Sequence, residues 1–338
     1  MGRTTDMPLA DARSLIARGI DKAEEIGMRG AVAVIGATGA LVSASRMDHG
    51  GAGGMARAKS KAWIAATQQI PSAEHLHRMR VVAPPMVTGF STLSPEAAFP
   101  GAGGMPIRAG GVGTGPVIAG IAASGAGIGP FVGYPGSEPL KLIADGQPSN
   151  GEDLLVHYAL GIPYEGQHGD DLERWINVYG AWPGELDPAA GTGLAPAPPA
   201  SGQAEHRWAL ALADRAIAEA TERGLRVSVA IVDERGDPIQ QDRMDGAPTS
   251  SVQIAEALAA TAASFQLPSH AVAERYGDAA TRAELAAALP FAILAAPGGR
   301  PVVSGEGVVA GLGIAGPAPH LCEQVAAATL DGASATIA

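Results

Sequence analysis

A mixed α/β chain built from two tandem copies of one domain is what this sequence predicts, on three observations. Residues 12–72 reappear at 209–269 with a constant offset of 197 and no gap, and 21 of the 61 aligned positions are identical. Within each copy an apolar stripe of helical period is followed by β-branched runs and then by an alanine-rich stretch, so helix and strand signals alternate. Glycine and proline return in register between those stretches, Gly39 with Gly236 and Pro71-Ser72 with Pro268-Ser269. The same turns are therefore written twice.

Each copy opens with an amphipathic helix, whose stripe is Leu15, Ile16, Ile20 and Ala23 in the first and Leu212, Ala213, Ile217 and Ala220 in the second. Gly27 and Gly224 end these helices. Ala31 to Ile35 and Arg226 to Val232 read as strands, and Ala37-Thr38-Gly39 and Glu234-Arg235-Gly236 as hairpin turns. The next strands finish at Arg46-Met47-Asp48 and Arg243-Met244-Asp245. Alanine-rich helices over about 53–68 and 249–265 follow, the second capped by Thr249 or Ser250, and Pro71 and Pro268 stop them. A Gly-Gly-x-Pro in each copy, from Gly103 and from Gly298, then leads into short strands that include Val117 to Ala123 and Val308 to Ile314. A helix from Pro317 to Leu330 closes the second copy.

Residues 131–183 show no counterpart in the second half and hold Tyr134, Tyr158, Tyr164, Trp175, Tyr179 and Trp182. Residues 184–203 are rich in Pro, Ala and Gly and read as an extended linker. The expected organisation is a first domain at 1–183 with a C-terminal insertion at 131–183, the linker at 184–203, and a second domain at 204–338.

Composition narrows the function classes. A hydrophobic content of 46% suits a globular chain, while a net charge of -11 repels a phosphate backbone and argues against nucleic acid. Cys322 is the single cysteine, so no disulfide framework, cysteine zinc site or redox pair is expected, and a reduced, cytoplasmic setting fits. Charges run through the first 30 residues and no stretch approaches the roughly 20 apolar residues of a membrane span. No signal peptide and no membrane partner are expected.

The positions where the copies differ point toward chemistry. Lys61 stands opposite Leu258, on a helix face that Val252, Ala255, Ala259 and Ala262 mark as buried in the second copy. An ammonium there pairs with an anion, lowers its pKa, or snorkels along its stem to water. Arg57 stands opposite Ile254 one turn earlier, and two cations four residues apart suit an anionic ligand such as a carboxylate. His49, opposite Gly246, precedes Gly50-Gly51-Ala52-Gly53-Gly54, whose main-chain N–H groups at a helix start suit an anion. His49 is then a candidate acid or base. The Arg46 and Asp48 motif serves either to tie the hairpin to the helix or to orient His49. His75-Leu76-His77 lacks a third ligand at fixed spacing, so no metal site is assigned. Gly311 to Gly316 formally matches GxGxxG but lies in a closing strand with no acid about 20 residues on, which excludes a dinucleotide fingerprint.

The ordered combination of helix, hairpin, Arg-Met-Asp-Gly-Ala (Arg243 to Ala247), alanine-rich helix, Gly-Gly-x-Pro-Val and Val-Val-Ala-Gly-Leu-Gly-Ile-Ala-Gly (Val308 to Gly316) resembles the GlcG/HbpS family, which includes the C-terminal domain of PduO-type proteins. The resemblance covers both copies. It implies an α/β (α+β) fold, a five-stranded antiparallel sheet flanked by helices in each copy, with the copies fused as a pseudo-twofold dimer. Two departures stand out: His49-Gly50 where the family has Gly-Ala, and Leu258 where it has a Lys, as at Lys61.

Two functional readings follow. The first is a cofactor-independent hydrolase, lyase or isomerase acting on a small anionic metabolite at a single site formed mainly by the first copy. Its catalytic set is His49, Lys61, Arg46 and Asp48, and its substrate-binding set is Arg57, Gly53, Gly54, Arg243 and Asp245. The alternative, implied by the resemblance, is a haem or tetrapyrrole binder with His49, His75 or His77 as axial ligand and Arg or Lys meeting the propionates. A structural module without a small ligand is favoured only if Lys61 is exposed. Homo-oligomers of the fused chain are expected.

Overall fold

The computed structural model describes residues 7–25, 28–82, 89–90, 98–110, 115–126, 143–144, 147–148, 151–162, 204–289, 291–305 and 307–331. The 184–203 linker, most of the 131–183 segment and Gly27 lie outside them. By contact the chain divides into two compact units, Met1–Val42 with Met47–Gly202, and Ser43–Arg46 with Gln203–Ala338.

In the first unit, α1 (Leu9–Glu25) leads to the hairpin β1 (Arg29–Gly36) and β2 (Leu41–Arg46), then α2 (Ala52–Gln68) and α3 (Ser72–Val82). The strands β3 (Gly104–Arg108) and β4 (Val117–Ala126), a two-residue pair β5 (Ile143–Ala144) and β6 (Gln147–Pro148), and α4 (Gly151–Leu160) follow. The sheet order is β3-β4-β1-β2, with β4 antiparallel to β1 from Arg29↔Ala126 to Gly36↔Ala119. Strand alternation sorts the side chains between two helical layers. Val32, Val34 and Ile121 pack with Ile16 and Ile20 of α1 and with Leu155 and Val156 of α4. On the opposite face α2 lies so close to β4 that a Cβ on Gly120 would sit 2.3 Å from the Ala62 carbonyl oxygen. Only glycine permits that approach.

The second unit repeats the plan with α5 (Ala204–Glu222), β7 (Ser228–Asp233), β8 (Pro238–Arg243), α6 (Ser251–Phe265), two short helices α7 (Ala271–Arg275) and α8 (Ala279–Ala288), β9 (Gly299–Ser304), β10 (Gly307–Ala315) and α9 (Pro319–Asp331). Its own strands run β8-β7-β10-β9, and the Ser43–Arg46 segment pairs with β8. Val229, Ile231, Leu312 and Ile314 pack with α5 and α9, whereas Ala230, Val232 and Ala315 pack with Ala255, Leu258 and Ala259 of α6. Gly311 meets the Ala259 carbonyl as Gly120 meets Ala62, so the glycines of the GxGxxG-like run serve helix packing. Along β8 a buried polar ladder is closed internally: Ser43 Oγ donates to Asp242 (2.8 Å), Ser45 Oγ to Gln240 (2.5 Å), and Gln240 Nε2 to Asp242 (2.8 Å).

Three expectations are corrected. Among the described residues each repeat contributes four strands to its sheet, where five were expected. Within the segment read as lacking a counterpart, α4 packs on α1 as α9 packs on α5, so that stretch completes the repeat. Sequence alignment misses it because the two helices share their place rather than their residues. The third concerns α6: it begins at Ser251 after Ser250, which is itself helical (φ -71, ψ -17) and makes no side-chain cap. Ser251 Oγ turns instead to the Pro248 carbonyl (2.6 Å). Among the described residues no helix is long and apolar enough to cross a membrane.

Candidate functional site

The turn between β2 and α2 is set by backbone bonds from Met47 N to Gly30 O (2.8 Å) and from Gly50 N to Met47 O (2.9 Å). That geometry forces residue 49 to the left-handed region, φ 61, as it forces its twin Gly246 to φ 82. Histidine tolerates this conformation better than most side chains, and the imidazole points to solvent. Asp48 is half-buried. The helix that follows starts at Gly51 with no side-chain cap, and Gly51, Ala52 and Gly53 are exposed, so first-turn N–H groups open outward. Arg57 folds over this end: its Nε donates to Ser124 Oγ (3.2 Å), and a Cβ on Gly53 would meet its Nη1 at 2.9 Å. Gly54 faces the Ser124 carbonyl from the same turn.

Lys61, one turn on, is 2% exposed and so does not snorkel. Its Nζ lies 2.5 Å from Glu152 Oε2 and donates weakly to the Ala123 carbonyl (3.4 Å). An unpaired buried ammonium costs several kcal/mol, and Glu152, from the first turn of α4, removes that cost. The other Glu152 oxygen accepts from Gly125 N (2.8 Å), and Asp153 Oδ1 accepts from Gly103 N (2.5 Å). Ser72 Oγ donates to the Gly101 carbonyl and Ser60 Oγ accepts from Phe99 N (2.6 Å), so the described part of the loop into β3 is held at Phe99, Gly101 and Gly103.

The second copy does the same job with its cation elsewhere. Glu323 of α9 accepts from Gly298 N (2.7 Å), and its counter-charge is Arg300 of β9 (2.8 Å). Arg300 occupies the place that Met105 holds in the first copy, while Lys61 is matched by Leu258, 1% exposed. The loop-anchoring hydroxyl has moved as well, from Ser60 to Thr261, which accepts from Leu294 N (2.9 Å). Cation and hydroxyl are therefore requirements of the loop, placed differently in the two copies.

The remaining sequence candidates disperse. Arg46 groups with the second unit, where its guanidinium meets Asp233 (2.7 Å) and the Pro238 carbonyl (2.8 Å). Arg243, 7% exposed, donates to the Ala247 carbonyl (3.4 Å), and Asp245 is exposed. In α3, His75 is 9% exposed, its Nε2 is buried without a hydrogen-bond partner, and its ring lies 4.5 Å from that of Phe90. Burial, then the nearby Arg78 guanidinium, holds the His75 pKa below 6.5. The side chain of His77 lies outside the described residues. Sequence reasoning missed Glu152, Asp153 and Ser124. One signal was present: two carboxylates ahead of Leu154-Leu155-Val156, the pattern of an acidic first turn on a buried helix.

A family model described as haem degrading protein HbpS-like matches residues 7–128 and again residues 205–331. Among solved structures, a Streptomyces reticuli HbpS double mutant is 35% identical over 37% of this chain and 84% of its own, with a TM-score of 0.34. The Klebsiella pneumoniae protein ORFY is 26% identical over 39% of this chain and 90% of its own, with a TM-score of 0.35. A PduOC–haem complex is 22% identical over 36% of this chain and 89% of its own, with a TM-score of 0.34. None of the curated proteins compared with the chain matches it. With the family's pattern present over both halves, the chain belongs to the HbpS-like family and carries its domain twice.

Proposed function

We propose that this protein binds haem or a related tetrapyrrole. The observation that carries the reading is the match of the haem-degrading HbpS-like family to both halves of the chain, residues 7–128 and 205–331. The residues present fit such a group in donor chemistry: a buried imidazole nitrogen without a partner at His75, and a guanidinium at Arg57 beside uncapped main-chain N–H groups. In this reading Arg57 and the exposed main-chain N–H of Gly53 would receive the propionates, with Gly54, whose own N–H donates to the Gly51 carbonyl (2.8 Å), holding the turn. When bound, the group supplies a redox-active iron whose properties depend on its axial ligand.

The family match favours this reading over a cofactor-independent hydrolase, lyase or isomerase. Lys61, the expected anchor for a substrate carboxylate, already has Glu152 as its anion. Its burial equally removes the condition on which a ligand-free structural module rested.

Titration of the full chain with hemin, followed by absorption, tests the proposal. A saturable Soret band is expected, with affinity lowered about tenfold in Arg57→Ala, the loss of one hydrogen bond to a charged group. A spectrum that only tracks added hemin, without saturation, contradicts it.

A further inference from the structure

We propose that His75 donates the axial nitrogen, Nε2, to the iron of the tetrapyrrole, and that the chain holds one such group, on its first copy. This assignment rests on the tetrapyrrole reading above. Buried polar atoms nearly always have a partner, so an imidazole nitrogen without one calls for an explanation. The repeat shows that the fold itself does not supply it. The twin of His75 is Val272, 0% exposed, so this position of the helix is satisfied by a small apolar side chain. An imidazole here costs the apo protein a lost hydrogen bond, against which it gains only the ring contact with Phe90.

The surroundings differ between the copies in the same sense. The Phe90 ring lies 4.5 Å from the His75 ring at 48° and 6.2 Å from the Trp63 ring, and Trp63 stands where the second copy has Ala260. Flat aromatic surface beside a nitrogen donor is what a planar macrocycle packs against. Burial, then the Arg78 guanidinium, lowers the His75 pKa and so favours the neutral form, the one that ligates a metal. Of the other candidate histidines, His49 is exposed on a left-handed turn between the half-buried Asp48 and the buried Gly50. Because Nε2 has no solvent exposure, iron reaches it only after a neighbouring side chain gives way, and Phe90 is in ring contact with it. The second copy has valine and alanine at these two positions, and its His270, whose Nδ1 is likewise buried without a hydrogen bond, sits 3.7 Å from the Glu323 carboxylate, so the expected stoichiometry is one.

Resonance Raman spectroscopy of the ferrous complex of the full chain with hemin, grown with and without isotopically labelled histidine, reads the ligand directly. The expected result is an iron–imidazole stretch that shifts with the label and is absent in His75→Val, whose hemin affinity falls at least tenfold while its melting temperature does not drop below the wild type. In His75→Gly, added imidazole restores the wild-type spectrum, and replacing the exposed His320 at the start of α9, as in His320→Ala, leaves the spectrum unchanged. If the wild type binds hemin with no histidine-derived stretch, or if the stretch persists in His75→Val, the assignment is overturned and the tetrapyrrole reading stands. If the wild type takes up no hemin, the tetrapyrrole reading fails first and this assignment falls with it.

Discussion

Lys61 shows how a buried charge is read from an internal repeat. Its burial was legible because the twin, Leu258, lies on an apolar face; its partner was not, because Glu152 comes from a helix with no aligned sequence in the other half. The relocation of the cation to Arg300 makes a direct test available. Lys61→Leu strands Glu152 and is expected to lower stability by about 3 kcal/mol, the order for removing one member of a buried pair. Adding Met105→Arg, which copies the second unit, recovers part of that loss. Urea midpoints of the single and double variants check this, and additive losses would show that Met105 and Lys61 do not share a carboxylate. His75 supplies a prediction with a sign. Its folded pKa lies below 6.5, so the folded state binds fewer protons than the unfolded one as pH falls past that value. The neutral form's contribution is fully present above about pH 6.5 and is lost below it. His75→Val removes this acid loss and the orphaned nitrogen, and is expected to stabilise the apo protein by about 1 kcal/mol, with the gain growing toward pH 5. Denaturant midpoints at several pH values measure it; a constant difference would locate the effect in packing alone.

At the scale of elements, both alanine-rich helices end on a glutamine in the left-handed region, Gln69 (φ 61) and Gln266 (φ 55), ahead of Pro71 and Pro268. The helix stops were legible from the prolines, and the glutamine caps were not, since glycine is the residue that advertises a left-handed cap. A left-handed non-glycine residue costs about 1–2 kcal/mol, offset in part by the extra unfolded-state freedom of glycine. Gln69→Gly is therefore expected to stabilise by about 0.5 kcal/mol, while Gln68→Gly, one residue earlier and inside α2, loses about 1 kcal/mol. Opposite signs at adjacent positions in thermal melts are the check; loss at both would place residue 69 within the helix. The loops into β3 and β9 carry a related lesson. Gly-Gly-x-Pro was visible in both copies, whereas the hydroxyls that hold the loops, Ser60 and Thr261, lie a turn apart on their helices and escape a fixed offset. Function was kept by geometry and not by position.

On the scale of the whole molecule, the tandem architecture and the family were readable because a constant offset of 197 fixes the repeat before any element is assigned. The candidate site was read only in part. Arg57, Gly53 and Gly54 do come together at the start of α2, but Arg46 is held by Asp233, and of the three histidines offered as axial ligands in the sequence, His75 is, among the described residues, the one whose ring nitrogen is buried without a hydrogen bond. Long-range partners set by topology decide such cases, and no local pattern encodes them. The central claim, proposed above, is that the chain holds one tetrapyrrole, on its first copy. Native mass spectrometry of the full chain after exposure to excess hemin tests it most directly. The account predicts a single haem adduct per chain, lost in His75→Val; two adducts of equal occupancy, or none, would contradict it.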